Sequence, residues 1–124
     1  MTPPAIRRLC AGFGATAVLL GAFAAHALKD ALPGERLAVF ETGVRYHLAH
    51  ALALGLCMVR APLRWAPACF AAGIVLFSGS LYLLACCDAR WLGAVTPFGG
   101  VLFVAGWVLL AVEKRSAAPG GAAD

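Results

Sequence analysis

Four long apolar runs, separated by short polar breaks, make up most of the chain. The first runs from Leu9 to Leu28, after Arg7-Arg8 and before Lys29-Asp30. The others occupy about residues 40–59, 68–87 and 95–112, and stop at Arg60, Asp88 and Glu113-Lys114-Arg115. Each comes close to the roughly 20 residues that a helix needs to cross a hydrocarbon core of about 30 Å. The breaks carry surface signals: a Pro33-Gly34 turn, and Trp65 and Trp91 at the level of interfacial aromatics. The pattern predicts an all-α fold, a membrane-embedded bundle of four transmembrane helices forming one domain over residues 1–115. The small, Gly/Ala-rich segment 116–124 is expected to be a disordered tail.

The second run differs from the others. Its helix is predicted to start near Glu35, and its first half is amphipathic. Leu37, Phe40, Val44 and Leu48 share one face at spacings of three and four, and Thr42, Arg45, Tyr46 and His50 lie opposite. From Ala51 to Val59 the run is apolar throughout.

Composition agrees with the pattern. Of 124 residues, 62% are hydrophobic and only 13% charged, too few to give a soluble domain a polar surface. The net charge of +4 comes from single or paired basic residues beside the runs, which read as topology anchors and lipid-headgroup contacts. No stripe of Lys/Arg interleaved with aromatics is present, so nucleic acid is not an expected partner. Arg7, Arg8, Arg60, Arg64, Lys114 and Arg115 fall on one side, and Lys29, Arg36 and Arg90 on the other. That excess predicts both termini in the cytoplasm. The triplet Ala25-His26-Ala27 has the form of a signal-peptidase site, but the first run exceeds a signal core of about 7–15 residues and is read as a retained span.

Lipid tails are as apolar as leucine, so helices in a membrane associate through close packing. Small residues at helical spacing supply candidate contacts: Gly21 with Ala17 and Ala25, Gly55 with Ala51, and Gly99 with Gly106. The cysteines Cys10, Cys57, Cys69, Cys86 and Cys87 lack metal-binding or C-x-x-C spacing and read as small hydrophobes. The vicinal Cys86-Cys87 pair admits a redox or soft-metal reading that nothing else in the sequence supports.

A polar constellation gathers in the outer half of the bundle. Counted from Arg60 at 1.5 Å per residue, His50 lies about 15 Å in, near the midplane, and Arg45 about 22 Å in. His26, Glu41, Tyr46, His47, Ser78, Ser80 and Tyr82 fall at comparable or shallower depths, near Thr96. Ionisable groups facing hydrocarbon are costly, so these are expected to face the interior. Glu41 and Arg45, one turn apart, are placed to pair, as are Tyr46 with His50 and Ser78 with Tyr82. The plain reading is an interhelical hydrogen-bond network. Sharper readings are a proton, ion or quinone site on Glu41, Arg45 and the histidines, or a metal or haem site on His26, His47 and His50. The i, i+3 histidine spacing is not a diagnostic ligand motif, so no metal or cofactor is assigned. Ser78 or Ser80 with a histidine lacks the flanking motif of a hydrolase.

Several stretches carry a family resemblance: Gly21-Ala22-Phe23-Ala24-Ala25-His26-Ala27-Leu28, Phe40-Glu41-Thr42-Gly43-Val44-Arg45-Tyr46-His47, His50-Ala51-Leu52-Ala53-Leu54, Leu76-Phe77-Ser78-Gly79-Ser80-Leu81-Tyr82-Leu83-Leu84 and Arg90-Trp91-Leu92-Gly93-Ala94-Val95-Thr96-Pro97-Phe98-Gly99-Gly100. Together they resemble the YgdD/YwdK-type small membrane proteins, a domain-of-unknown-function family with a eukaryotic transmembrane relative. The resemblance covers nearly all of residues 12–110. It implies a multi-pass protein of the bacterial inner membrane and carries over no activity or catalytic residue. Ala24 stands where the family pattern has glycine, which bears on how closely a neighbouring helix approaches there.

The expected function is therefore that of a non-enzymatic accessory or assembly protein. Its expected partners are the lipid bilayer and a larger membrane complex or further copies of itself. The alternative is a ligand-binding bundle built on the outer-leaflet cluster.

Overall fold

The structure is a computed structural model that describes residues 1–115. The segment 116–124, expected to be a disordered tail, lies outside the described residues. Among those described there is no β-strand. Four helices follow one another: α1 (Pro3–Leu28), α2 (Gly34–Arg60), α3 (Trp65–Cys87) and α4 (Arg90–Val112). The first turn of α4, Arg90–Ala94, is a 3₁₀ turn. Helix α1 closes in a π turn, Ala24–Leu28, and α3 is widened midway by another, Ile74–Ser78.

α1, α3 and α4 are long and apolar enough to cross a membrane. At 27 residues, α2 is the longest α-helix, but the polar positions of its first half keep it outside that group. Helix α1 begins at Pro3, ahead of the apolar run, because two prolines suit the first turn, where no backbone N–H is needed. Asp88, with φ of +52°, ends α3 in a left-handed residue.

Both described chain ends meet at one end of the bundle. The Met1 ammonium donates to the Leu63 carbonyl, and Arg115 donates to the Ala61 carbonyl at 2.7 Å. Arg60, closing α2, donates to the carbonyls of Leu110, Ala111 and Glu113, which the C-terminus of α4 leaves without intrahelical partners. Glu113 then caps the N-terminus of α3. Its carboxylate accepts from the backbone N–H groups of Arg64, Trp65 and Ala66 at 2.7, 2.9 and 2.8 Å. At the opposite end Arg36 donates to the Ala85 carbonyl at 2.6 Å.

Two apolar clusters fill the interior. One, at the chain-end side, includes Ile6, Leu54, Leu63, Phe70 and Phe103. The other joins Ala24, Leu28, Phe40 and Ala85. Val18, Leu19, Leu52, Val59, Val75, Leu83, Val101 and Val104 face outward, a surface suited to lipid and not to water.

The tightest glycine contacts lie between α3 and α4. A Cβ added at Gly99 would lie 2.7 Å from the Cα of Phe77, and one at Gly106 2.7 Å from the Phe70 ring. Gly73 meets the Phe103 ring in the same way, at 2.5 Å. Gly43 of α2 stands against the Tyr82 ring at 2.8 Å. Gly21 is tight against Val44 at 3.3 Å, whereas Gly55 has only an ordinary contact with Cys10, at 3.5 Å.

Candidate functional site

α2 carries a polar layer between the two apolar clusters, and its two histidines point to different neighbours. His50 is buried against α4, its ring parallel to that of Phe103 with centroids 3.5 Å apart. Its Nδ1 lies 2.7 Å from the Tyr46 carbonyl, and its Nε2 3.2 Å from Nε1 of Trp107. A carbonyl only accepts and an indole N–H only donates. His50 is therefore the neutral tautomer with its proton on Nδ1. A second proton on Nε2 would point at another N–H.

His47 is buried against α1 and α3. Its Nδ1 lies 3.0 Å from the Tyr82 hydroxyl and its Nε2 3.3 Å from the Thr16 hydroxyl. Thr16 also donates back to the Gly12 and Phe13 carbonyls, both at 3.0 Å, which leaves its lone pair for His47 Nε2–H. Nδ1 then accepts from Tyr82. Unlike the partners of His50, both of these are hydroxyls, which either donate or accept. Ser78 donates to the Gly43 carbonyl at 2.8 Å and ties α3 to α2. The Ser80 and Thr96 hydroxyls, 2.6 Å apart, tie α3 to α4. Among the described residues no buried side-chain nitrogen or oxygen lacks a partner.

The rest of the expected constellation is not in this layer. His26 is exposed on the π turn of α1, so it does not join His47 and His50 as a third ligand. Depth along a helix sets level but not direction, and His26 faces away. Among the described residues, no group of three or more His, Cys, Asp or Glu side chains is arranged to hold a metal. Glu41 and Arg45 are exposed and do not pair. Arg45 donates instead to Thr42 at 3.1 Å, and the ion pair among the described residues is Arg90–Asp88 at 3.6 Å. Tyr46 reaches His50 through its carbonyl and not its hydroxyl, while its ring packs on Phe77 at 4.6 Å. Ser78 bonds the Gly43 carbonyl and Tyr82 bonds His47, so both hydroxyls of α3 reach α2.

Thr16, Trp107 and Gly43 belong to the layer although the sequence did not single them out as members, and Thr96 joins it through Ser80. Trp107 carried the one available signal, since an indole N–H in hydrocarbon seeks an acceptor. Outside the membrane-capable helices, the pKa of Glu113 is shifted. Burial alone would raise the pKa of Glu113, but three backbone N–H groups and the N-terminal ammonium outweigh it and lower the value.

The chain's relationships agree with its structure. A family model described as "Protein of unknown function (DUF423)" matches residues 20–100. The chain is similar to the UPF0382 membrane protein YwdK of Bacillus subtilis, 45% identical over 103 residues that cover 77% of this chain and 84% of the relative. It is similar to the UPF0382 inner membrane protein YgdD of Escherichia coli K12, 43% identical over 101 residues and 77% of each chain. A UPF0382 membrane protein of Staphylococcus haemolyticus, SH2409, is 42% identical over 98 residues, covering 75% of this chain and 80% of that one. No solved structure matches the chain. With three membrane-capable helices and these relatives, the protein is a membrane protein of the bacterial inner membrane. It belongs to the DUF423 family of UPF0382 membrane proteins, whose function is unknown.

Proposed function

We propose that this chain is a non-catalytic bundle of four membrane-crossing helices that serves as an accessory or assembly protein. It would act on a larger membrane complex, on further copies of itself, or on the bilayer. The observation that carries this reading is the state of His50. Both ring nitrogens are committed to fixed partners on its own helix and on α4, which suits a lock between helices and not a group free for chemistry. The bonds of His47, Ser78 and Ser80 to other helices support the same role.

In this reading α2 crosses the membrane as well. Its buried polar groups are satisfied inside the bundle, which removes the main cost of placing them in hydrocarbon. The end that gathers Met1 and Arg115 also carries Arg7, Arg8, Arg60, Arg64 and Lys114, so the basic excess favours both termini in the cytoplasm. Extraction in mild detergent followed by cross-linking mass spectrometry tests the accessory role. A reproducible partner, or a self-linked oligomer, supports it. A chain that stays alone at native abundance overturns it.

One observation favours a second reading, a proton relay through His47. Its two hydroxyl partners can reverse their donor and acceptor roles, as those of His50 cannot. Proton flux into vesicles that carry the purified chain, lost in His47→Gln and kept in His50→Gln, would support that reading over the first.

A further inference from the structure

Glu41 and Arg45 are charged residues in the first half of α2, and both lie outside the polar layer. Both line a groove of about 260 Å³ between α1 and α2, whose other walls are Gly21, Ala24, Ala25 and Val44. The α1 side is built of small residues, so no long side chain fills the space. Ala24 and Ala25 belong to the π turn that ends α1, a kind of distortion that recurs at functional sites. Glu41 and Arg45 are exposed, and among the described residues neither is in an ion pair. A carboxylate and a guanidinium one turn apart at the membrane boundary form a dipolar pair of anchors, with roughly 5–6 Å between their Cβ atoms.

We infer that this groove seats the headgroup of a zwitterionic phospholipid bearing a primary amine. Charge complementarity selects it. The guanidinium of Arg45 takes the phosphate, for which its planar fork is suited. The carboxylate of Glu41 accepts from the ammonium two carbons further along the headgroup. The first acyl segments run past Gly21, which packs against Val44, towards the midplane. An anionic glycerol headgroup satisfies Arg45 but places no cation at Glu41. A quaternary amine keeps the charge but has no N–H to donate.

The inference takes from the proposed function only that α2 crosses the membrane, which puts Glu41 and Arg45 at headgroup level. The test is native mass spectrometry of the full chain in detergent, with equimolar phosphatidylethanolamine and phosphatidylglycerol of matched acyl chains. Because this assay needs no bilayer, its failure is separable from a failure of topology labelling. The expected result is roughly threefold or more ethanolamine-lipid adduct over glycerol-lipid adduct. Glu41→Gln should abolish that preference while keeping adducts. Arg45→Gln should lower adducts of both lipids. Ala25→Leu fills the groove at an exposed position and should lower both without loss of helix content by circular dichroism. Equal adducts of the two lipids on the unaltered chain overturn the inference, as does an unchanged preference in Glu41→Gln.

Discussion

Trp107 donates its indole N–H to Nε2 of His50 at 3.2 Å, and this bond joins α4 to α2 in the middle of the bundle. It also fixes which nitrogen of His50 carries the proton. Trp107→Phe removes the donor but keeps an aromatic ring for the edge-on contact with Phe70, now at 5.3 Å. Interhelical bonds of this kind in membranes average about 0.6 kcal/mol and reach about 1.7. A double-mutant cycle of Trp107→Phe with His50→Leu, read by denaturant unfolding in detergent, should give a coupling in that range. Strict additivity of the two changes would show that the bond holds nothing together.

Gly99→Ala drives a methyl group into the backbone of Phe77, which has no rotamer to escape with. The expected loss is about 1–3 kcal/mol, as for other overpacked sites. Gly55→Ala is the control: its Cβ would meet only Cys10 Sγ at an ordinary 3.5 Å. That substitution should be neutral or stabilising by up to about 1 kcal/mol, because alanine loses less freedom in a helix than glycine. Thermal melts of the two variants side by side decide it.

Glu113 predicts a pH dependence. Its pKa is lowered in the folded chain from an ordinary 4.5, so its contribution is fully present above 4.5 and is lost as pH falls through the lower folded value. Glu113→Gln should cost about 1 kcal/mol at neutral pH, the usual worth of a helix N-cap. It should also flatten this acid limb of the stability profile. An unaltered limb in the variant would assign the acid sensitivity to other groups.

Thiol labelling reads the topology. Cys86 and Cys87 are exposed at the end of the bundle away from the termini. In intact spheroplasts an impermeant maleimide should react with them, and with Lys29→Cys in a background lacking native cysteines. Lys114→Cys should react only after permeabilisation. Labelling of positions 29 and 114 from the same side would remove α2 as a crossing helix.

Much of the fold is legible in the sequence because hydrophobic length and turn chemistry are local. The runs ending at Leu28, Val59, Cys87 and Val112 stop at or within one residue of helix ends. The π turns of α1 and α3 have no comparable signature in Ala24–Leu28 or Ile74–Ser78. The site was legible in level and not in direction. A rise of 1.5 Å per residue places His26, Glu41 and Arg45 near the polar layer, but rotation by about 100° per residue carries their side chains elsewhere. Gly99 and Gly106 were visible as a small-residue stripe, whereas the close approach at Gly43 depends on which ring faces it. Arg60 and Glu113 read as stop signals and topology anchors. Their bonds to the ends of other helices depend on tertiary neighbours that the sequence does not display.

The seam between α3 and α4 has one further consequence. Phe70 sits on Gly106 and Phe77 on Gly99, while Phe103 of α4 sits on Gly73 of α3. Bulk and vacancy thus alternate between the partners, like teeth meshing both ways. A slide of one turn would set ring against ring, so the pair has a single register and no ratchet positions. Across descendants of this sequence the residues should change as couples: a bulkier residue at 106 is viable only where position 70 has shrunk.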